Sequence, residues 1–426
     1  ISDPGSFKNP YTGITIPIRS NWKVETAGPN GKLDVPADAI KWDPVQQKWI
    51  QVGNGIKSTS KVTFHLIFGN WHNGQPMDMN DVLYSIYFLY QWGAEPSGNS
   101  KTFDSEYSPK ANQAAKTLIG IRVIDKSTIE VYQDYWHFDA GEIADSAGVF
   151  PSMPWEIFYA MEKSVTDGKI AFSRSDSVSK NVDWLSLIVP NDANMIKSNL
   201  EDFSKSNSIP AALAGFEQKF TYYSDRYSAS ISWIEKHNHA VISNGPFYLD
   251  SYSPEARIIT IKAFDDQTYP FGAGYWKKFE NIDVAKINRV DVPTTVSLGK
   301  ELAIPISVTS NCTIYYYFVN ADGKMVDSGI LQSETGNTTI VLPKEKTSLL
   351  SLGANDLKIF AVSESALKPD IFYTSFLGIQ GESPKIPEIV PESESTFVNY
   401  YYIVIGIVIF VIAVGFVIVL KKRKKP

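Results

Sequence analysis

Apolar residues change their rhythm several times along this chain before ending in one unbroken run. Over the first 60 residues they come as short pieces between the breakers Asn9-Pro10, Pro29-Asn30-Gly31 and Gly53-Asn54-Gly55, and read as short strands or docked loops. Val62 to Phe68 is rich in β-formers and stops at Gly69, which predicts a strand. A loop from Asn70 to Met77 comes next, and then a helix capped by Asp78, with Asp81 in its first turn. Val82, Ser85, Ile86, Leu89 and Tyr90 fall on one face of it, and Gly93 ends it. With no Lys or Arg before Lys101, this helix should be buried on most sides.

After a polar segment, Ile121–Ile124 and Thr128–Tyr132 form a hairpin by spacing and β-content. Pro154 suits a helix start, with helix formers from Trp155 to Met161. Asn191 to Asn238 is mainly helical, restarting at Ile209-Pro210. Asn244-Gly245-Pro246 breaks that run, and Phe247–Leu249 and Ile258–Ile261 read as strands. Strands alternating with helices predict an α/β or α+β lobe over residues 1–290. From Val292 to Leu377 the texture is short β-rich runs without a helix, and Asn320-Ala321-Asp322-Gly323 has hairpin-turn chemistry. Residues 291–378 are therefore expected to form an immunoglobulin-like β-sandwich. A Pro/Glu/Ser-rich stalk, 379–399, comes after it.

The final run fixes an address. Tyr401 to Leu420 carries no charge and is mostly Ile, Val and Phe, long enough at about 1.5 Å per residue to cross a bilayer as a helix. Tyrosines at one end and the basic tail 421–426 at the other place the tail in the cytoplasm and everything before residue 400 outside. The net charge is −6, of which the tail contributes +5, so the outer part carries −11. An acidic ectodomain argues against nucleic acid as a partner. Cys312 is the single cysteine, which excludes an intrachain disulfide. No export signal is visible at Ile1-Ser2-Asp3-Pro4; either a signal has been removed or a longer chain precedes it.

Catalytic and metal motifs are missing: no nucleophile elbow, HExxH, CxxC, P-loop or EF-hand loop occurs. No enzyme activity, cofactor or metal site is expected. Asn311-Cys312-Thr313 and Asn337-Thr338-Thr339 are glycosylation sequons, making Asn311 and Asn337 candidates. Aromatic residues make up 13% of the chain. Trp71, Trp92, Tyr135, Trp136 and Trp155 lie in or beside loops and helix ends; they are either core packing or the stacking surface of a ligand cleft.

Three motifs in order resemble the signature of family 5 extracellular solute-binding proteins, the receptors of oligopeptide/dipeptide-class ABC importers. The first runs from Phe64-x-Leu66-x-Phe68 through Trp71-His72-Asn73-Gly74-Gln75-Pro76-Met77 to Asn80-Asp81-Val82-x-x-Ser85, with Asn73 where the family usually has Asp. The second is Val123-x-Asp125-x-x-Thr128-Ile129-x-Val131, and the third Asn244-Gly245-Pro246-Phe247-Tyr248-Leu249. The sandwich, stalk and anchor look like an archaeal, membrane-tethered version. The short stretch from Leu249 to Tyr275 departs from the family, whose second lobe comes at this point, and suggests that part of the receptor is encoded upstream.

The resemblance implies a two-lobed receptor that closes on an oligosaccharide or oligopeptide and hands it to a permease in the same membrane. It also implies that His72, Gly74, Pro76, Asp81, Gly245 and Pro246 are scaffold rather than ligand contacts. The alternative is a structural or adhesive surface protein that reuses a receptor-like lobe.

Overall fold

The β-rich run after residue 60 becomes one strand of a six-stranded antiparallel sheet. In a computed structural model, which describes residues 1–94, 101–216, 219–280, 282–309, 311–334 and 336–381, the sheet is built from β1 (Ser20–Thr26), β2 (Ile40–Asp43), β3 (Lys48–Gln51), β4 (Ser60–Leu66), β5 (Leu118–Val123) and β6 (Thr128–Gln133). Their order is β1-β4-β6-β5-β2-β3. The register sets Val62 opposite Val131 and Phe64 opposite Ile129, so one face collects buried apolar side chains, each contributing about 1.5–3 kcal/mol. The hairpin expected at 121–132 is the β5–β6 pair. Half of the sheet's strands come from the turn-rich first 60 residues, where short pieces carry little period to read.

Six helices, α1 (Met79–Gly93), α2 (Ser108–Thr117), α3 (Ala140–Ser146), α4 (Trp155–Thr166), α5 (Arg174–Lys180) and α6 (Pro190–Ser206), precede a seventh, α7 (Phe220–His237). Every residue of α1 except Ser85 and Leu89 is buried, as the lack of nearby cations predicts. Gly93 does end α1, though not through a left-handed cap. A Cβ there would lie 2.7 Å from the Ala111 backbone, so glycine lets α2 pass close by, and Asn112 Nδ2 donates to the Gly93 carbonyl at 2.8 Å. The ends of α5, α6 and α7 are made by asparagine: Asn181, Asn207 and Asn238 adopt left-handed backbone there. A two-stranded hairpin, β7 (Phe247–Ser253) and β8 (Ile258–Ala263), comes after α7.

The described chain divides into two units, 1–285 with 362–369, and 286–361 with 370–381. Eight strands run through the rest: β9 (Ile287–Val290), β10 (Thr295–Ser297), β11 (Leu302–Val308), β12 (Cys312–Val319), β13 (Met325–Ser333), β14 (Asn337–Leu342), β15 (Gly353–Ser363) and β16 (Ala366–Ile379). They form a three-stranded sheet, β9-β11-β14, and a five-stranded sheet, β10-β16-β15-β12-β13, with β10 parallel to β16. Burial alternates along β11, β14 and β15, giving each sheet one apolar face. The Asn320–Gly323 turn closes β12 to β13, with Asn320 N–H donating to the Lys324 carbonyl at 3.0 Å. One turn of helix, Lys344–Thr347, interrupts the β-rich stretch where none is expected.

The chain is thus a mixed α/β protein with several separate sheets. Among the described residues no helix is long and apolar enough to cross a membrane; the run Tyr401–Leu420, the basic tail and nearly all of the expected stalk lie outside the described residues.

Gly378 in β16 tests the tight packing of the second unit. A Cβ there would sit 2.2 Å from the Ser351 carbonyl oxygen, in a turn held by Asn355 Oδ1 and Nδ2 at 2.8 and 2.9 Å. Gly378→Ala should cost about 1–3 kcal/mol in equilibrium urea unfolding. An unchanged midpoint would mean that this turn yields freely.

Candidate functional site

The first and third motif segments meet in space, and the second pairs with the strand of the first. Trp71–Pro76 is a tight turn in which Trp71 N–H donates to the Gln75 carbonyl at 2.8 Å and Gly74 takes a positive φ. His72 reaches from this turn to the third motif, pairing with the Gly245 carbonyl at 3.0 Å and accepting Ser243 N–H at 3.2 Å. Gly245 passes so close to Ile1 that a Cβ would meet the Ile1 carbonyl oxygen at 2.4 Å, and Pro246 accepts Phe264 N–H through its carbonyl.

Asp81 ties α1 to α4 and α7. Its fully buried carboxylate accepts Asp78 N–H at 3.0 Å, Trp71 Nε1–H at 3.1 Å, Trp155 N–H at 3.0 Å and the Arg226 guanidinium of α7. Arg226 also donates to Glu156 at 2.8 Å and to the Pro76 carbonyl at 2.9 Å. Burial opposes its charge, but Asp81 and Glu156 outweigh that and hold it protonated. Burial raises Glu156 against the pull of Arg226. Burial and the nearby Asp81 push Asp78 up to about 6, although Tyr222 OH donates to it. Asn73 donates to Ser230 Oγ at 3.0 Å, and Ser230 Oγ donates on to Glu156 at 2.8 Å. A carboxylate could not make that first donation.

Trp71, Trp92 and Trp155 are not exposed: all three have 0% accessibility. Their indole N–H groups are spent inside the core, on Asp81, on Glu162 and on Tyr222 OH. Glu162 accepts from Tyr84, Tyr87 and Trp92 together, and burial raises its pKa. A tryptophan near a loop looks the same in sequence whether it faces water or a buried carboxylate. Trp136 is exposed, and Tyr135 is half-buried. Asn311 and Asn337 are both exposed, while Cys312 is buried and unpaired.

Tyr135 lines a groove of about 490 Å³. One wall is Ser85, Ile86 and Leu89 of α1, which include the two α1 residues left unburied. The opposite wall is Tyr107, Lys110, Gln113, Ala114 and Thr117; Gln133 and the 146–150 segment, ending in Phe150, close it. This size is typical of a small-ligand cleft. The lining is aromatic and apolar with scattered amide and hydroxyl groups, and Lys110 is its single charged residue. Such a surface can stack on a flat apolar face and hydrogen-bond at its edges, with no acid–base pair for catalysis among these residues.

Removing Arg226 tests the scaffold. Arg226→Met should cost about 3–5 kcal/mol in urea unfolding, because Asp81 and Glu156 are left buried without a cation. A loss below about 1 kcal/mol would show that water or a proton replaces the guanidinium without difficulty.

No family description matches this chain, and no characterised protein matches it. Among solved structures, a β-glucuronidase from Parabacteroides merdae is 12% identical over 23% of this chain and 14% of its own, with a TM-score of 0.18. A superoxide reductase (neelaredoxin) from Ignicoccus hospitalis is 13% identical over 25% of this chain and 89% of its own, with a TM-score of 0.17. The chain therefore spans about 14% of the glucuronidase's length, and likenesses of this degree carry no argument about function.

Proposed function

We propose that this chain is the membrane-tethered, substrate-capturing receptor of an ABC importer of the family 5 solute-binding type, taking oligosaccharides or oligopeptides. The observation that supports it is the meeting of the first and third resembling motifs. Residues 72 and 245 meet through hydrogen bonds, and Asp81 ties the start of α1 to α4 and α7. The motifs then act as scaffold and leave the groove beside α1 to capture solute. Binding shifts a conformational equilibrium toward the closed receptor.

The second unit is read as an immunoglobulin-like spacer. Its strand order supports this: β9-β11-β14 and β10-β16-β15-β12-β13 correspond to the two sheets of such a sandwich with a split first strand. Tyr401–Leu420 is the proposed anchor and residues 379–399 the proposed stalk. A tether of this kind raises the receptor's effective concentration at its permease.

Thermal-shift measurements on the full chain in detergent, with panels of oligosaccharides and oligopeptides, test the reading. At least one class should stabilise the protein by about 2–3 kcal/mol at a hundredfold excess over Kd, and Tyr135→Ala should abolish that gain. Stabilisation by neither class would remove the receptor reading and favour a structural or adhesive role.

A further inference from the structure

Three of the chain's five histidines meet at one place. His72 comes from the turn before α1, His237 from the last turn of α7, and His239 from just beyond it. Their rings pack around Trp233, with centroid separations of 6.2 Å from His72, 4.1 Å from His237 and 6.0 Å from His239. All are buried. What they grip is the main chain between residues 240 and 250. His72 holds Ser243 and Gly245, His239 holds Val241 and Leu249, and His237 pairs through Nδ1 with the Asp250 carbonyl at 3.0 Å.

These partners fix the state of two of the rings. A carbonyl oxygen can only accept, so Nε2 carries the proton in His72, facing Gly245 at 3.0 Å, and in His239, facing Leu249 at 3.0 Å. A backbone N–H can only donate, so Nδ1 carries the lone pair in both, facing Ser243 and Val241 at 3.2 Å. Both imidazoles are neutral. A second proton on either Nδ1 sets two N–H groups against each other and breaks a main-chain bond.

The surrounding charges favour this assignment. Burial lowers His72 to about 4, with the positive charge of Arg19 acting in the same direction and the Gly245 carbonyl against it. Burial also lowers His239, with His237 acting in the same direction and Asp250 against it. His237 differs from the other two. Its Nδ1 lies 3.7 Å from the Asp250 carboxylate, and its Nε2 is buried without a partner among the described residues. Lys262 of β8, at 2.8 Å, and Lys236 of α7 already share that carboxylate.

We propose that the histidine cluster is a proton-operated latch. Protonation of His72 and His239 frees the 240–250 main chain, and with it the β7–β8 hairpin, while the six-stranded sheet stays closed. The hairpin is the element poised to move because it has little burial of its own. It is a lone pair of strands, and Ile258, Ile259 and Ile261 of β8 are exposed. Both latch histidines are neutral in the closed form and ordinary in the open one. The His72 contribution to opening therefore grows as pH falls below about 6.5 and levels off near its folded value of about 4, and His239, lowered by burial, acts in the same direction.

Hydrogen exchange on the full chain, corrected for intrinsic rates, reads this directly. Between about pH 7 and pH 4, protection of amides 240–253 should fall roughly 100-fold, while β4, β5 and β6 keep theirs. A His72→Gln/His239→Gln double variant should show raised opening that no longer depends on pH in this range. Loss of protection in segment and sheet together, no loss in either, or a variant that keeps the same pH step would each overturn the latch. Should the variant not fold, the comparison of segment with sheet in the unaltered chain decides alone.

Discussion

A buried carboxylate must be surrounded by donors, and in this protein meeting that requirement for Asp81 places four separate pieces of chain. The Asp78 and Trp155 amides, the Trp71 indole and the Arg226 guanidinium all point at one side chain with no access to water. Leaving any of them aside would strand a charge in the core. The start of α1, the preceding turn, the start of α4 and the middle of α7 are consequently fixed with respect to one another. The network contributes position as much as stability: the donors have one place to stand, and the sheet and helices pack around that choice.

This arrangement separates what is read easily in sequence from what is not. The cap at Asp78, the apolar face of α1 and the β5–β6 hairpin rest on local chemistry, and local chemistry is legible. The helix α2 is not, because only Ser108 and Ala111 are buried along it and no apolar stripe remains to see. Ser85 stands out as a motif position on the α1 face, yet its place on the groove wall depends on α2 and on the 146–150 segment. The tryptophans show the same limit from the other side. Trp92 finds Glu162 seventy residues away, a pairing that no window of sequence contains.

Scaffold and surface are therefore different residues within one stretch. Asp81 turns inward to Arg226, and four positions on, Ser85 looks into the groove while its hydroxyl donates back to the Asp81 carbonyl at 3.1 Å. Substitutions at the motif would act on folding, whereas a substitution at Lys110 would act on the groove with little effect on the core.

Gly93 carries this separation one step further. The groove is the space between α1 and the α2 wall, and the two helices approach each other at a residue without a side chain. Gly93 thus works as a gauge: it sets how far apart the walls stand without lining the groove itself. A change at Gly93 would therefore alter the width of the groove without placing a new side chain in its lining.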